Sequence, residues 1–229
     1  MIRVRPMMGT GGPDNFHVII IVGPKHSGKT SAGRALARLW EGVAGGPEPV
    51  WPGIARFIDL DELVEARTGK SPRFLYRTGP EVFRKAEAEA LRSLLEGGFP
   101  GERRAGRGMD GGNGKGGSAK GCITIVAAGG GLADNCEALE LLRTNRVAVI
   151  CLEVPVETAW ERIRVAAEQS GELPPFLDTE DPRHTHRLLH ERRGRIYRDL
   201  ASVIVKARDT PEETAAAMLQ QLGLDPLQR

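Results

Sequence analysis

The feature that most constrains this chain is a glycine-bearing loop between an apolar run and a helical segment. Residues 23–30 read Gly-Pro-Lys-His-Ser-Gly-Lys-Thr and match the G-x-x-x-x-G-K-[S/T] pattern of phosphate-binding loops. An apolar, β-branched run precedes the loop at 18–22, and residues 31–40 carry apolar positions at helical spacing. In that order, backbone N–H groups and a helix N-terminus face a phosphate. The stretch therefore predicts nucleotide binding.

The loop also predicts individual roles. We expect Lys29, exposed where the loop enters the helix, to reach the β- and γ-phosphates of a nucleoside triphosphate. The Thr30 hydroxyl is expected to bind Mg²⁺. The expected nucleotide-binding residues are Gly23, Pro24, Lys25, His26, Ser27, Gly28, Lys29, Thr30 and Ser31.

Bulk properties indicate a modest globular protein. The 229 residues are 40% hydrophobic and 27% charged, which suits a single domain over 16–225 after a loose tail at 1–15. A net charge of +2 gives no indication of nucleic-acid binding. We expect no membrane association, because no apolar run has the length of a signal peptide or a membrane span. Three cysteines without metal-like spacing suit a reducing compartment, so we expect a cytoplasmic protein.

Strand-like and helical segments alternate along the chain. This order predicts an α/β fold with a five-stranded parallel sheet covered by helices on both faces. The expected strands are 18–22, 56–58, 122–127, 147–152 and 203–205, and the expected helices are 31–40, 61–68, 81–96, 134–144, 158–168, 184–200 and 211–222.

Two segments break this alternation. Residues 97–121 include eleven glycines and scattered basic residues without apolar periodicity, which is typical of a disordered insertion. A role in touching nucleic acid or phosphate is the less favoured alternative. Residues 169–183 are polar and contain three prolines, so we expect a mobile surface segment there.

Polar and glycine residues follow two of the predicted strands. Asp59 and Asp61 come at the end of the second strand, and the turn 129–131, three glycines, follows the third. In parallel α/β sheets the carboxyl ends of the strands are where ligands bind. The glycines would let a ligand approach the backbone closely.

The order and spacing of these motifs resemble the shikimate kinase family, within the phosphate-loop kinases. The resemblance covers most of the chain outside the tail, the loop at 41–55 and the insertion. The segments that carry it are Phe-Ile-Asp-Leu-Asp at 57–61, Glu-Ala-Arg-Thr-Gly at 65–69, Phe-Arg-Lys-Ala-Glu at 83–87, Gly-Gly-Gly at 129–131 and Glu-Arg-Arg-Gly-Arg-Ile-Tyr at 191–197.

The resemblance implies ATP-dependent phosphorylation of the shikimate 3-hydroxyl. We also expect the protein to be a monomer. The resemblance implies that Asp59 holds Mg²⁺ through water and that Asp61 bonds the acceptor hydroxyl and takes its proton. The implied acceptor-binding residues are Asp61, Arg84, Gly129, Gly130, Gly131 and Arg193. Glu87, one helical turn beyond Arg84, would orient that arginine.

Two departures from the family pattern leave alternatives open. His26 stands where the family usually has a second glycine, and Pro174 falls on the position of an arginine that reaches over the phosphates. Arg162, Arg164 and Arg183 could replace that arginine, and we favour Arg183 as a third catalytic residue beside Lys29 and Asp61. A kinase of another small hydroxylated acid or polyol, or a nucleotide-binding regulatory protein without turnover, remains an alternative.

Overall fold

All five strands join one parallel sheet in this computed structural model, which describes residues 18–44, 54–97 and 122–223. The strands are β1 (Val18–Val22), β2 (Ile54–Asp59), β3 (Cys122–Ala127), β4 (Ala148–Glu153) and β5 (Val203–Lys206). Their order across the sheet is β2-β3-β1-β4-β5. The chain turns to one side of β1 for β2 and β3 and then crosses to the other side for β4. The loop after β1 therefore lies at the point where the topology switches, the usual ligand site of such sheets. The predicted fold class is confirmed.

Eight helices connect the strands within the described residues. They are α1 (Lys29–Ala44), α2 (Leu60–Thr68), α3 (Pro72–Thr78), α4 (Pro80–Leu95), α5 (Cys136–Thr144), α6 (Val156–Ser170), α7 (Pro182–Leu200) and α8 (Pro211–Gln221). Asp59 caps the start of α2, and Gly69, with a φ of 68°, ends it in the left-handed conformation that favours glycine. None of the helices in the described ranges is long and apolar enough to cross a membrane.

The two faces of the sheet have separate cores because alternate side chains of β1 point in opposite directions. Ile20 and Val22 pack with residues of α2, α4, α5 and α7 on one face. Ile19 and Ile21 pack with residues of α1 and α8 on the other. All four side chains are fully buried, so the strand that leads into the phosphate loop is packed on both faces.

Two regions differ from the sequence-based description. Helix α3 was not predicted, since seven residues are too few to show a helical period, although Ser71 caps it and Pro72 begins it. The proline-bearing segment contains a 3-10 turn, Pro175–Leu177, in which Leu177 is fully buried. The tail at 1–15 and nearly all of the insertion at 97–121 lie outside the described residues.

Candidate active site

The phosphate loop is tied to the centre of the sheet through Gly23. Its φ is 152°, and a Cβ at this position would lie 2.4 Å from the carbonyl oxygen of Leu152 at the end of β4. Only glycine fits so close to a neighbouring strand. The turn then leads into α1, whose first residues are Lys29 and Thr30. The loop residues expected to bind nucleotide, apart from Gly23 and Pro24, line one cavity of about 480 Å³.

Lys29 is buried instead of exposed, which corrects our expectation. Its Nζ donates to the carbonyl oxygens of Gly23 (3.0 Å) and Pro24 (2.7 Å) and to Ser27 Oγ (3.3 Å). Only 7% of the residue is accessible. Burial, which disfavours the charged amine, lowers the pKa of Lys29 to about 8, although the charge of Asp61 opposes the shift. An ammonium group held this way is a pre-positioned partner for a phosphate oxygen.

Thr30 and Asp59 bring two oxygen ligands together at the edge of the same cavity. Thr30 Oγ1 donates to Asp59 Oδ2 at 2.7 Å. Asp59 Oδ1 accepts from the backbone N–H of Asp61 at 3.0 Å, the contact that caps α2. No group of three or more His, Cys, Asp or Glu in the described ranges could hold a metal ion. Mg²⁺ is usually bound by few protein oxygens, while water and phosphate oxygens complete its coordination shell.

We call the cavity at the phosphate loop the nucleotide cavity. Asp61 lines both this cavity and a second cavity, of about 310 Å³. Burial raises its pKa, and the nearby charge of Asp59 adds to the shift, while Lys25 and Lys29 oppose it. Gly129 and Gly130 also line both cavities. A carboxylate with a raised pKa at the junction of two cavities is suited to accept a proton during transfer between their occupants.

A buried arginine lies in the wall of the second cavity. Arg193 of α7 is buried and lines this cavity, and its Nε and Nη2 donate to Asp134 Oδ2 at 3.1 Å and 2.6 Å. Its guanidinium carbon lies 5.2 Å from the ring centre of Phe176. Tyr197, one turn further along α7, donates to the carbonyl oxygen of Gly130 (3.0 Å) and accepts from the N–H of Ala133 (3.1 Å). Helix α7 thus positions both the cation and the glycine turn.

Arg84 and Glu87, both on α4, lie in different environments. Arg84 is half-buried and does not line either cavity, and its guanidinium makes no hydrogen bond or ion pair within the described residues. Glu87 is fully buried and accepts from Asn135 Nδ2 at 2.9 Å. The expected pairing of Glu87 with Arg84 is therefore not formed, although the Arg84 charge is close enough to lower the pKa of Glu87.

Comparisons with known proteins identify the family. A family model described as shikimate kinase matches residues 53–99 and 118–223. A shikimate kinase of Marinomonas sp. is 30% identical over 189 residues, which cover 82% of this chain and 81% of the relative. The chain belongs to the shikimate kinase family. A shikimate kinase of Shewanella amazonensis is 28% identical over 90% of this chain and 96% of its own length.

A solved structure with the same fold comes from this family. It is the shikimate kinase from Acinetobacter baumannii in complex with shikimate, with a TM-score of 0.65 and 25% sequence identity, covering 90% of this chain and 93% of that one. The fold, the family and the class of enzyme, a phosphotransferase that acts on a hydroxyl group, thus agree with the resemblance seen in the sequence.

His26, the first departure from the family pattern, has a φ of 58°, the only positive φ at a non-glycine among the described residues. This explains why family members usually have glycine there, since a side chain in the left-handed region is strained. Burial lowers the pKa of His26 to about 4, with contributions from the charges of Lys25, Lys29 and Arg162. The imidazole is therefore neutral at pH 7.

The proline-bearing segment, the second departure, covers the acceptor side of the site. Pro174, Pro175 and Phe176 line the second cavity. Glu172 pairs with Arg73 (2.6 Å) and Arg77 (2.5 Å), both on α3. We call residues 171–181 the lid segment. Its contacts show a folded arrangement that the polar, proline-rich sequence did not reveal.

Arg183 and Arg162, two of the candidates to replace the family's lid arginine, lie in different places. Arg183 lines a third cavity, away from the phosphate loop, and donates to Glu157 Oε2 at 2.8 Å. Arg162 of α6 lines the nucleotide cavity and donates to the carbonyl oxygen of His26 at 3.1 Å. The geometry described here therefore favours Arg162 over Arg183 as the cation beside the phosphates.

Sequence reasoning missed a further part of the nucleotide cavity. Residues 207–211, which are the turn after β5 and the first residue of α8, also line it. Their one available signal was position, because the turn directly follows the carboxyl end of a parallel strand. Arg73 and Tyr76 of α3, which line the second cavity, gave no such signal because α3 itself was not predicted.

Proposed function

We propose that this protein transfers the γ-phosphoryl group of ATP to the 3-hydroxyl of shikimate. The observation that carries the proposal is the position of Asp61, which lines both the nucleotide cavity and the second cavity. Membership of the shikimate kinase family supports the choice of acceptor, as does the fold shared with a shikimate kinase solved in complex with shikimate.

ATP would occupy the larger cavity with its phosphates on the loop 23–30. Lys29 and the loop N–H groups would bind phosphate oxygens, and Ser31 follows them on the first turn of α1. The base and ribose would extend between Arg162 and the turn 207–211. The oxygen pair of Thr30 and Asp59 fits Mg²⁺, which would neutralise phosphate charge during transfer.

Shikimate would occupy the second cavity. Its carboxylate would bind Arg193, and Arg84 would join by rotating toward the cavity, since a guanidinium can bond two carboxylate oxygens at once. The backbone of residues 129–131, which line this cavity, would contact the shikimate ring. Asp61 would accept the proton of the 3-hydroxyl as that oxygen attacks the γ-phosphorus and the bond to the ADP oxygen breaks.

The remaining properties follow the same proposal. We infer that the protein acts in the cytoplasm as a monomer and binds neither nucleic acid nor membrane. Cys122, Cys136 and Cys151 are all free thiols, which supports a reducing compartment. The net charge of +2 supports small-molecule substrates over a polyanionic partner.

Coupled measurement of ADP release tests the proposal. Purified protein with ATP and Mg²⁺ should release ADP with shikimate and form a monophosphate ester detectable by mass spectrometry. Release should be much slower with no acceptor or with related hydroxylated acids. The Asp61→Asn variant, which cannot take the proton, should lose about 10²–10⁴ in kcat. Preference for another acid or polyol would assign a different acceptor.

One observation favours a second candidate, a nucleotide-binding regulatory protein. Pro174, which the resemblance in sequence puts at the position of a phosphate-reaching arginine, lines the second cavity. Losing such an arginine can cost about 10³–10⁵ in rate. ATP binding in equilibrium dialysis, without ADP release for any acceptor, would support this candidate.

A further inference from the structure

Two carboxyl groups, the partly buried Asp61 and the fully buried Glu87, lie beside Gly129. Asp61 Oδ1 and Glu87 Oε1 are both enclosed, and neither has a hydrogen-bond partner among the described residues. A Cβ on Gly129 would lie 2.9 Å from Glu87 Oε1 and 3.0 Å from Asp61 Oδ1. The two unpartnered oxygens therefore both border the space that a Cβ on Gly129 would occupy. The missing side chain of glycine is what allows them to do so.

Asn135 determines which Glu87 oxygen is free. Its Oδ1 accepts from the N–H of Ala138 and caps α5, so its amide nitrogen must face α4. That nitrogen donates to the carbonyl oxygen of Arg84 at 2.8 Å and to Glu87 Oε2 at 2.9 Å. Glu87 Oε2 is thus an acceptor. A proton on Glu87 belongs on Oε1, the oxygen that borders the same space beside Gly129 as Asp61 Oδ1.

Two ionised carboxylates in this place would be costly, because both are removed from water and repel each other. The charged groups around Glu87 are Asp61 at the start of α2, Arg84 on its own helix, and Arg193 on α7, where Tyr197 also lies close by. Neither arginine forms an ion pair with Glu87 in the described structure; Arg193 pairs with Asp134. Lys25 and Lys29 act on Asp61 and offset its charge. A second negative charge, on Glu87, would have no ion-pair partner within the described residues.

We propose that Glu87 is a positioning residue that, as a neutral carboxylic acid, donates a hydrogen bond from Oε1 to Oδ1 of Asp61. This bond fixes the Asp61 carboxylate and leaves its Oδ2 for the acceptor hydroxyl. The inference rests on the proposed function for its effect on turnover, but the bond itself belongs to the folded protein. It differs from the role implied by the family resemblance, in which Glu87 orients Arg84.

The ionisation of Glu87 agrees with this geometry. Burial raises the pKa of Glu87 to about 8, while the hydrogen bond from Asn135 opposes the shift. Glu87 is then protonated at neutral pH. Above that pKa the proton would be lost, the two carboxylates would repel, and Asp61 would leave its position.

Three variants of the full-length protein test the inference by activity. Glu87→Gln keeps the shape, places an N–H donor toward Asp61 and retains an acceptor for Asn135, so it should rescue kcat to within ~3-fold at pH 7. Glu87→Ala removes the donor and should lower kcat by ~10²-fold with little change in the KM for ATP. Glu89→Gln, on the exposed side of the same helix, is the matched control and should match the wild type. Equal losses in Glu87→Gln and Glu87→Ala, or an active Glu87→Ala, would overturn the proposal.

A stability measurement decides the question without turnover. The pKa of Glu87 in the folded protein lies above its ordinary value of 4.5. Between pH 4.5 and about 8, the native state therefore keeps a proton that the unfolded chain has already lost. Native stability should therefore fall over this range relative to Glu87→Gln, which has no proton to lose. Parallel melting temperatures of the two proteins from pH 5 to 8, or failure of Glu87→Gln to fold, would overturn the proposal even if shikimate proved not to be the acceptor.

Discussion

The nucleotide cavity and the acceptor cavity are built in different ways. The first is framed largely by one continuous stretch, residues 25–32, and by residues at or just after the ends of β2, β3 and β5. The second is assembled from α3, α4, the turn 129–131, α6, α7 and the lid segment. The lid segment is held in part by Glu172, whose partners Arg73 and Arg77 have side chains that are 33% and 58% exposed.

This difference bears on how each cavity responds to substitution. Phosphate binding depends on backbone that the sheet holds in place, so single side chains other than Lys29 should matter little to the shape of the loop. Acceptor binding depends on side chains from distant parts of the chain, held by contacts that are individually weak at the surface. We therefore expect substitution of Lys29 to have the largest effect on kcat. Substitutions in the second cavity should have graded effects on the KM for the acceptor.

The largest effect is expected for Lys29→Met. Methionine keeps much of the side-chain volume but removes the ammonium group, so kcat should fall by about 10³-fold, the scale of losing a buried group that stabilises transition-state charge. The free energy of unfolding should change little, because the lost hydrogen bonds to the carbonyl oxygens of Gly23 and Pro24 are offset by removal of a charge that burial disfavours. Steady-state kinetics and chemical denaturation measure the two effects. Lys85→Met, on the exposed face of α4, is the control, and equal losses in both variants would remove Lys29 from the site.

The second prediction sharpens the contrast at the acceptor cavity. Arg193→Lys keeps the charge but loses the fork of donors, so it should raise the KM for shikimate ~10–100-fold while leaving the KM for ATP within ~2-fold. Arg84→Lys should act in the same direction but less strongly, because Arg84 does not line the cavity in this structure. A larger change in the KM for ATP than for shikimate in either variant would contradict the assignment.

Local signals were sufficient for the sheet and for the phosphate loop. Runs such as Ile19, Ile20 and Ile21 fit only a strand buried on both faces, and the loop pattern lies within a few residues of its strand. The carboxylates Asp59 and Asp61 were found because parallel strands end at a common edge. These inferences need no knowledge of distant contacts.

The lid segment and α3 could not be predicted in this way. The two segments are joined by ion pairs of Glu172 with Arg73 and Arg77, about a hundred residues earlier in the chain. Nothing in either segment alone indicates that pairing. Burial of Lys29 was missed for a similar reason. Its environment is made by carbonyl groups of a turn whose closed geometry the glycine pattern does not specify.

The third prediction compares two arginines as substitutes for the family's lid arginine. Arg162 contacts the phosphate loop, so Arg162→Ala should raise the KM for ATP ~10-fold. Arg183 pairs with Glu157 and is exposed, so Arg183→Ala should change kcat by less than ~2-fold. A loss of kcat in Arg183→Ala, with normal kinetics in Arg162→Ala, would show that the lid segment rearranges during catalysis and brings Arg183 to the phosphates.

The smallest effect is expected at the lid segment itself. Glu172→Ala removes the carboxylate that joins the segment to both Arg73 and Arg77. It leaves the hydrogen bond from Arg73 to the carbonyl oxygen of Leu173 and the packing of Phe176 and Leu177. Each surface ion pair stabilises by roughly 0–1 kcal/mol, so the closed arrangement should weaken without being abolished. The KM for shikimate should rise ~3–10-fold, and the effect should shrink in high salt, which screens the same ion pairs in the wild type.

Glu180→Ala provides the matched control for the lid, because Glu180 is an exposed carboxylate in the same segment that forms no ion pair within the described residues. It should leave both KM values unchanged, since it alters the charge of the segment without altering its attachment. An equal rise in the KM for shikimate in both variants would indicate a general charge effect on an anionic substrate. A rise confined to Glu172→Ala, with the KM for ATP unchanged, would establish that side chains distant in sequence hold the acceptor cavity closed while the nucleotide cavity is held by the sheet.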